Sequence, residues 1–345
     1  IGIGVPAYHR APGLLYGSQL PLETLLAGNY SKITPQQRES VYGRGWLLVH
    51  YLTFEKSRSG QLDRYVGLLS KGTPALDAAR AAFGDLKQLD RELDKYLASS
   101  SMVYLRLPAS RFHSEKIDIQ PLSPGDEKVI PLRAQSKRGV TEKTAEPLAV
   151  QVRAIEAQYP GDELVELTLA EAELDSGHPE AAGAAAGRAL KINPRDTKAL
   201  VFEGRATEAS AAKLTGDARH SAFERARHLF IEANKIDTED PEPLMEFYKA
   251  FVIEGVRPTP NAIAALHYAS DLAPQDGALR MNSAIQYLAE GKVEEAKHTL
   301  TVIAYDPHGN ELAKAARIMI ERIDAGDAKD ALAAARAQAK GASSR

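Results

Sequence analysis

The sequence predicts a mainly α protein in three parts: an N-terminal helical subdomain over 1–99, a short two-strand element over 100–122, and a right-handed α-solenoid over 123–345. Apolar residues recur at helical spacing from Pro35 to Leu97 and again from Ser123 onward, with a brief interval of alternation between them. The second helical stretch also repeats one order of small and bulky residues, the mark of stacked helix pairs.

Composition bounds the rest. A chain of 345 residues exceeds what one compact core usually holds, so two or more domains are expected. With 44% apolar and 26% charged residues and a formal net charge of -3, it has the make-up of a globular protein and no field for a polyanion, so nucleic acid is not an expected partner. There is no cysteine, which rules out disulfides, thiolate zinc sites and a cysteine nucleophile. No run approaches the ~18 to 20 apolar residues that span a bilayer; the most apolar stretch, 46–54, is broken by His50 and Tyr51. The chain opens on Ile1 without a basic region followed by an apolar one, so an upstream part removed by truncation or processing is expected, truncation being favoured.

In order along the chain, Ile1 to Ser18 is rich in Gly and Pro and reads as a loop. Pro35 to Phe54 is apolar nearly all round and reads as a buried helix. "SGQLDRYVGLLSKG" sets Leu62, Tyr65, Val66 and Leu69 on one stripe, closed by Gly72. "TPALDAARAAFG" has Thr73 as N-cap, Pro74 at the first helical position and Gly84 as its stop. Asp85 starts a helix with Leu86, Leu89, Leu93 and Leu97 on one face. These make four packed helices over 35–99. "SMVYLRLP" (101–108) and "KIDIQPL" (116–122) alternate and predict two short strands. Beyond Ser123 the pattern is helical, with Pro131 expected to kink or shorten its helix at a cost of about 3 kcal/mol.

The repeats share a register. Ala182, Ala186 and Ala189 precede Pro194; Ala226, Phe230 and Ala233 precede Asp237; Ala262, Leu266 and Ala269 precede Pro274; Ala296, Leu300 and Ile303 precede Pro307. Spacings of 4 and 3 put each trio on one helix face, where small residues let paired helices approach and the bulky one fills the gap. Gly177, Gly291 and Gly326 mark turns between paired helices. The grammar of "EAELDSGHPEAAGAAAGRALKINP" and "YLAEGKVEEAKHTLTVIAYDP" resembles the tetratricopeptide repeat, with its period of about 34 residues. The early aromatic is mostly aliphatic here, and the unit from Asp196 to Asp240 is longer around "AAKLTGDARHS". With a degenerate unit at 124–160 and a closing pair at 311–340, the array holds roughly five to six units.

From "ESVYGRGWLLVHYL" to "LDKYL" the N-terminal segment resembles the helical back half of gluzincin (peptidase-MA-like) domains, which the resemblance associates with a bacterial periplasmic or secreted location. Such domains bind zinc through H-E-x-x-H and a later glutamate. Neither is present: none of His9, His50, His113, His178, His220, His228, His267, His298 and His308 has the required partner. Zinc chemistry is therefore carried over to no residue, and zinc is expected only if an upstream half supplies it. His50 has three readings, in falling order: a core histidine held by backbone or a tyrosine, a support beside a lost metal site, and a direct ligand.

Other motifs have plain readings. Arg219, His220, Arg225, Arg227 and His228, interleaved with Glu224, read as a solvated helix face ahead of an anion site. Asp237, Glu239, Asp240 and Glu242 complement a helix N-terminus, ahead of a calcium reading. "IGIGVPAYHRAPG" lacks the context of a phosphate cradle, and no G-x-S-x-G presents a nucleophile.

These readings point to a binding scaffold with no catalytic motif, no cofactor and no membrane span, whose first helices line a groove for a protein or peptide segment. With Gly204, Gly255 and Gly291 taken as turn landmarks, the groove candidates are Glu171, Arg205, Glu208, Met245, Lys249, Met281 and Ile285. The alternatives are the C-terminal part of a zinc metallopeptidase-like protein and a purely structural solenoid of a larger assembly.

Overall fold

A computed structural model describes residues 2–6, 8, 11–16, 20–28, 30, 33–71, 73–99, 101–112, 116–306 and 311–331. Gly72, Pro307, His9, His113 and His308 lie outside the described residues, as does the closing pair beyond 331. The chain forms two compact units, one of Ile1–Ile117 with Tyr287–Arg345 and one of Asp118–Gln286. The fold class is mainly α, with one two-stranded element and a tetratricopeptide-like solenoid.

The first unit includes the C-terminal helices Val293–Ala304 and Glu311–Asp324; in its N-terminal part the helices are α1 (Ala11–Leu15), α2 (Leu22–Ala27), α3 (Pro35–Phe54), α4 (Gln61–Leu69), α5 (Ala75–Phe83) and α6 (Leu86–Leu97). The last four are the ones expected over 35–99. Thr34 starts α3 with a capping box to Gln37 and Pro35 in the first turn, and Asp85 caps α6. The unit is organised by α3, which touches α1, α2, α4 and α6 over a core of leucines and aromatics such as Leu47, Leu89, Leu93 and Phe83. Gly13 lets α1 lie close on α3: a Cβ there would come 3.0 Å from the Glu39 carbonyl oxygen. Ser40 Oγ donates to the Gly13 carbonyl at 2.9 Å. Val66, placed on the buried stripe of α4 by its spacing, is instead exposed, because nine residues of helix bury only the narrow face made by Leu62 and Tyr65.

The two-strand element exists, but its pairing differs from the expected one. Strand β1 (Gly2–Ile3) runs antiparallel to β2 (Leu105–Arg106), so the Gly- and Pro-rich start is not only loop; it also contains α1. Residues 116–122 form no strand, and Ile117 and Ile119 stand 82% and 84% exposed. Alternation gives a strand only where a neighbour supplies a hydrogen-bond ladder, and Gly2–Ile3 takes that place beside β2.

The second unit is a run of helix pairs: α7 (Pro124–Lys137), α8 (Glu142–Glu156), α9 (Glu163–Asp175), α10 (Pro179–Ile192), α11 (Thr197–Ala211), α12 (Gly216–Ile236), α13 (Pro241–Glu254) and α14 (Pro260–Leu272). Ser123, Asp162, Asp196 and Asp240 each cap a first helix by accepting a backbone N–H. On the second helices α10, α12 and α14, the nine predicted face residues from Ala182 to Ala269 are all fully enclosed. Helix α15 (Gly277–Ala289) follows; α16 (Val293–Ala304) and α17 (Glu311–Asp324) pack together, with Ala296, Leu300 and Ile303 buried. Gly177, Gly291 and Gly326 all have φ near +80°, the left-handed turn that glycine permits.

Two expectations are corrected here. Helix α7 runs fourteen residues through Pro131, so of the two expected outcomes, a kink or a shortened helix, the shortening does not occur. Pro131 is exposed, as is the unforeseen Pro147 inside α8, so water can reach the carbonyls that the missing N–H groups leave open. Gly204 is not a turn landmark but sits in mid-α11, where an added Cβ would fall 2.4 Å from the Phe230 ring. It marks a close approach of α11 and α12.

Candidate functional site

Within Asp118–Gln286, successive first helices adjoin, α7 with α9, α9 with α11, and α11 with α13. Second helices come between them in sequence and pack behind, through alanine faces. Each first helix therefore carries side chains of the next repeat within ion-pair reach, at sequence separations of about one repeat.

A row of charge results. Lys137 Nζ of α7 lies 2.5 Å from Glu171 Oε1 of α9, and Ser136 Oγ donates to Asp175 Oδ2 at 3.4 Å. On α11, Arg205 donates to Glu246 Oε1 of α13 at 2.5 and 2.9 Å and lies 2.9 Å from Glu242 Oε1. Lys198 bridges Asp240 at 3.0 Å and also meets Glu242. Lys249 reaches Glu246 Oε2 at 3.2 Å. Glu246 is fully enclosed, so both cations answer one buried carboxylate. Burial disfavours the Arg205 cation, yet Glu246 and Glu242 outweigh this and raise its pKa.

Glu208, one turn on from Arg205, differs from its neighbours. It is 6% exposed, and its Oε1 is buried with no hydrogen-bond partner. Burial pushes its pKa up to about 8, and Glu246 adds to the rise against Lys249, Arg205 and Arg227. Asp175 is raised too, first by burial and then by Glu171.

Of the predicted groove residues, Glu171, Arg205, Glu208 and Lys249 thus fall in one electrostatic row. The others do not join it. Met245 packs against the cluster of Leu244, Leu266 and Leu279, Met281 is buried, and Ile285 is half-buried. Sequence reasoning missed Glu246, Asp175 and Lys137; the only signal was an acid or base recurring one repeat away from its partner. It read Asp240 and Glu242 as helix-end charges; Asp240 does cap α13 and Glu242 lies in its first turn, and both also hold Lys198.

The basic stretch of α12 is corrected. Arg227 is buried, 2.5 Å from Glu254 Oε2 and over the Phe251 ring at 4.4 Å, and His220 Nδ1 lies 2.6 Å from Glu254 Oε1. Arg219 caps carbonyls of Ala211 and Ile253 and lies over Phe223. The face is only partly solvated: Glu254 in the last turn of α13 draws Arg227 and His220 onto one carboxylate, while Arg225 and His228 stay exposed. A pocket of about 340 Å³, also unforeseen, opens among α12, α13 and α14, lined by Phe230, Asn234, Leu244, Phe247, Asn261 and Tyr268. It needs three helices together, which no single window of sequence displays.

In the other unit His50 is 3% exposed between Trp46 and Phe54, with Nε2 3.0 Å from the Gly4 carbonyl and Nδ1 3.0 Å from the Tyr96 hydroxyl. A carbonyl only accepts, so Nε2 donates and Nδ1 accepts from Tyr96. Both nitrogens are used, which leaves no lone pair for a metal. Among the described residues no group of three or more His, Asp or Glu could hold a metal ion, and no helix is long and apolar enough to cross a membrane.

No protein-family model and no curated protein matches the chain. Among solved structures it is similar to TTC0263, a thermophilic TPR protein in Thermus thermophilus, at 16% identity and a TM-score of 0.48 over 56% of this chain and 97% of that one. It is also similar to MamA, at 15% identity and a TM-score of 0.37 over 53% of this chain and 96% of that one.

Proposed function

We propose that the chain is a helical-repeat scaffold, organised as 1–99, a connector over 100–122 and a repeat array over 123–345, which binds a protein or peptide segment along its first helices. One observation carries this reading: the first helices adjoin and share ion pairs from one repeat to the next, so that polar side chains are held in line on elements fixed by alanine packing. Side chains so restrained lose little freedom when a ligand docks, which favours recognition. His50, in the other unit, is committed to packing.

A displayed library of random peptides, selected on the whole chain, tests it. A photo-crosslinking residue at Lys249 should capture the selected peptides, and one at the exposed Lys213 should not. Equal capture at both positions, or selected peptides that ignore Lys249→Glu, would refute a first-helix groove.

A further inference from the structure

The charged row is out of balance. Among the described residues it contains Glu171, Asp175, Glu208, Asp240, Glu242 and Glu246 against Lys137, Lys198, Arg205 and Lys249, six carboxyls to four cations. The cations are already taken: Lys137 by Glu171, Lys198 by Asp240 and Glu242, Arg205 by Glu242 and Glu246, and Lys249 by Glu246. Asp175 and Glu208 are left without a cation; Asp175 accepts from Ser136, whereas Glu208 stands apart. Its buried Oε1 has no donor at all, although such an atom in a folded protein nearly always finds one. Arg205 and Lys249 both act on Glu208 electrostatically, and the Lys249 side chain is 49% exposed. An orphaned acceptor in a field with too few positive charges asks for a donor that is also a cation.

Resting on the reading of this face as a peptide groove, we propose that the Glu208 end of the row receives the ammonium or guanidinium of a basic peptide segment. The entering cation supplies the donor missing at Glu208. The groups that face Glu208 are Arg205 on its own helix, Arg227 from α12, and Glu246 and Lys249 from α13. The cation requires the ionised carboxyl, and burial holds that carboxyl largely protonated below pH 8. Binding therefore releases a proton and strengthens as pH rises.

The test is calorimetric titration of the full chain with an oligolysine peptide between pH 6.5 and 9, beside Glu208→Gln, which mimics the neutral acid and keeps its shape. Expected for the native chain is binding that tightens by up to about tenfold per pH unit below 8 and levels off above it. Glu208→Gln should bind at least tenfold more weakly at pH 8.5 and show no such slope. An NMR titration of the Glu208 carboxyl should show its pKa falling when oligolysine saturates the chain. Identical affinity and slope in Glu208→Gln would overturn the proposal, as would a preference for oligoglutamate. Should oligolysine fail to bind while library peptides still crosslink at Lys249, the cation site falls and the groove stands; if neither binds, both fall.

Discussion

The N-terminal helices and the repeat unit exclude water by opposite means. Around α3 the core is made of large side chains, Leu47, Leu89, Leu93, Phe83 and Tyr51, and its polar members are few. Along the repeats alanine is the commonest buried residue, and Phe223, Phe230, Leu266 and Leu148 are fully enclosed large apolar side chains among several others, such as Phe202, Leu200 and Leu279, that are also buried. Helices that pack through alanine approach closely, and their longer side chains are forced to the rims, where charges of neighbouring repeats meet. The repeat unit accordingly encloses Glu166, Glu173, Glu208 and Glu246, three of them held by Arg188, Arg153 and Arg205. In the N-terminal unit the carboxylates that meet Arg44 and Arg58 keep 27 to 45% of their surface open. A small-residue core thus concentrates stability in a few bulky side chains and brings buried charge with it.

The sharpest way to break this contrast is Phe230→Ala. Fully enclosed and facing Gly204, Phe230 should cost about 3–5 kcal/mol and lower the melting transition by roughly 10 °C, seen by calorimetry. Leu89→Ala in the other core should cost about 2–5 kcal/mol. The difference lies in coupling. Gly204→Ala should destabilise by about 1–3 kcal/mol by pressing a methyl onto the Phe230 ring, and Phe230→Leu should recover part of that loss. Additive effects of the two changes would show that their contact does not set the helix spacing.

One carboxyl from each region should also respond to pH, with opposite sign. Glu208 has a folded pKa of about 8 against ~4.3 for an unfolded glutamate. Below the unfolded value both states are protonated and its preference for the fold is complete. As pH rises toward 8 the unfolded chain gives up the proton first, so stability falls, by up to about 1.4 kcal/mol per pH unit, and levels off above 8. Urea denaturation between pH 5 and 8.5 should show this decline, and Glu208→Gln should remove it. Glu92 in the N-terminal unit is raised by burial but lowered further by Arg58, leaving a net depression. Its stabilisation is present above the usual glutamate range and disappears as pH falls through its depressed value, so Glu92→Gln should matter at pH 7 and cease to matter in acid.

What could be read in the sequence follows the same division. The 4-and-3 alanine register, the turns at Gly177, Gly291 and Gly326, and the four helices of 35–97 were visible because each lies within one window of periodic residues. Partners one repeat apart were not: Lys137 and Glu171 are 34 positions apart, Arg205 and Glu246 are 41. Ion pairs leave no periodic trace, since a charged residue on a half-exposed face looks the same whether its partner is solvent or the next helix. Gly204 shows the same ambiguity, because a glycine for close approach and a glycine for a turn are identical letters. The strand at 116–122 failed for a related reason: its alternation was genuine, but β2 took Gly2–Ile3 as its partner.

His50 gives a modest expected effect and the finest distinction. Its ring donates to the Gly4 carbonyl and accepts from Tyr96, so His50→Leu keeps the bulk of the side chain and removes both bonds, leaving the half-buried Gly4 carbonyl and Tyr96 hydroxyl without this partner. The loss should be about 1–3 kcal/mol. Tyr96→Phe removes one of the same two bonds, so the double variant should lose less than the sum of the singles. Strict additivity would mean that the Tyr96 hydroxyl and the imidazole do not act together. A fall in bound zinc on His50→Leu, measured by metal analysis of the native chain and the variant, would overturn the assignment of both ring nitrogens to Gly4 and Tyr96.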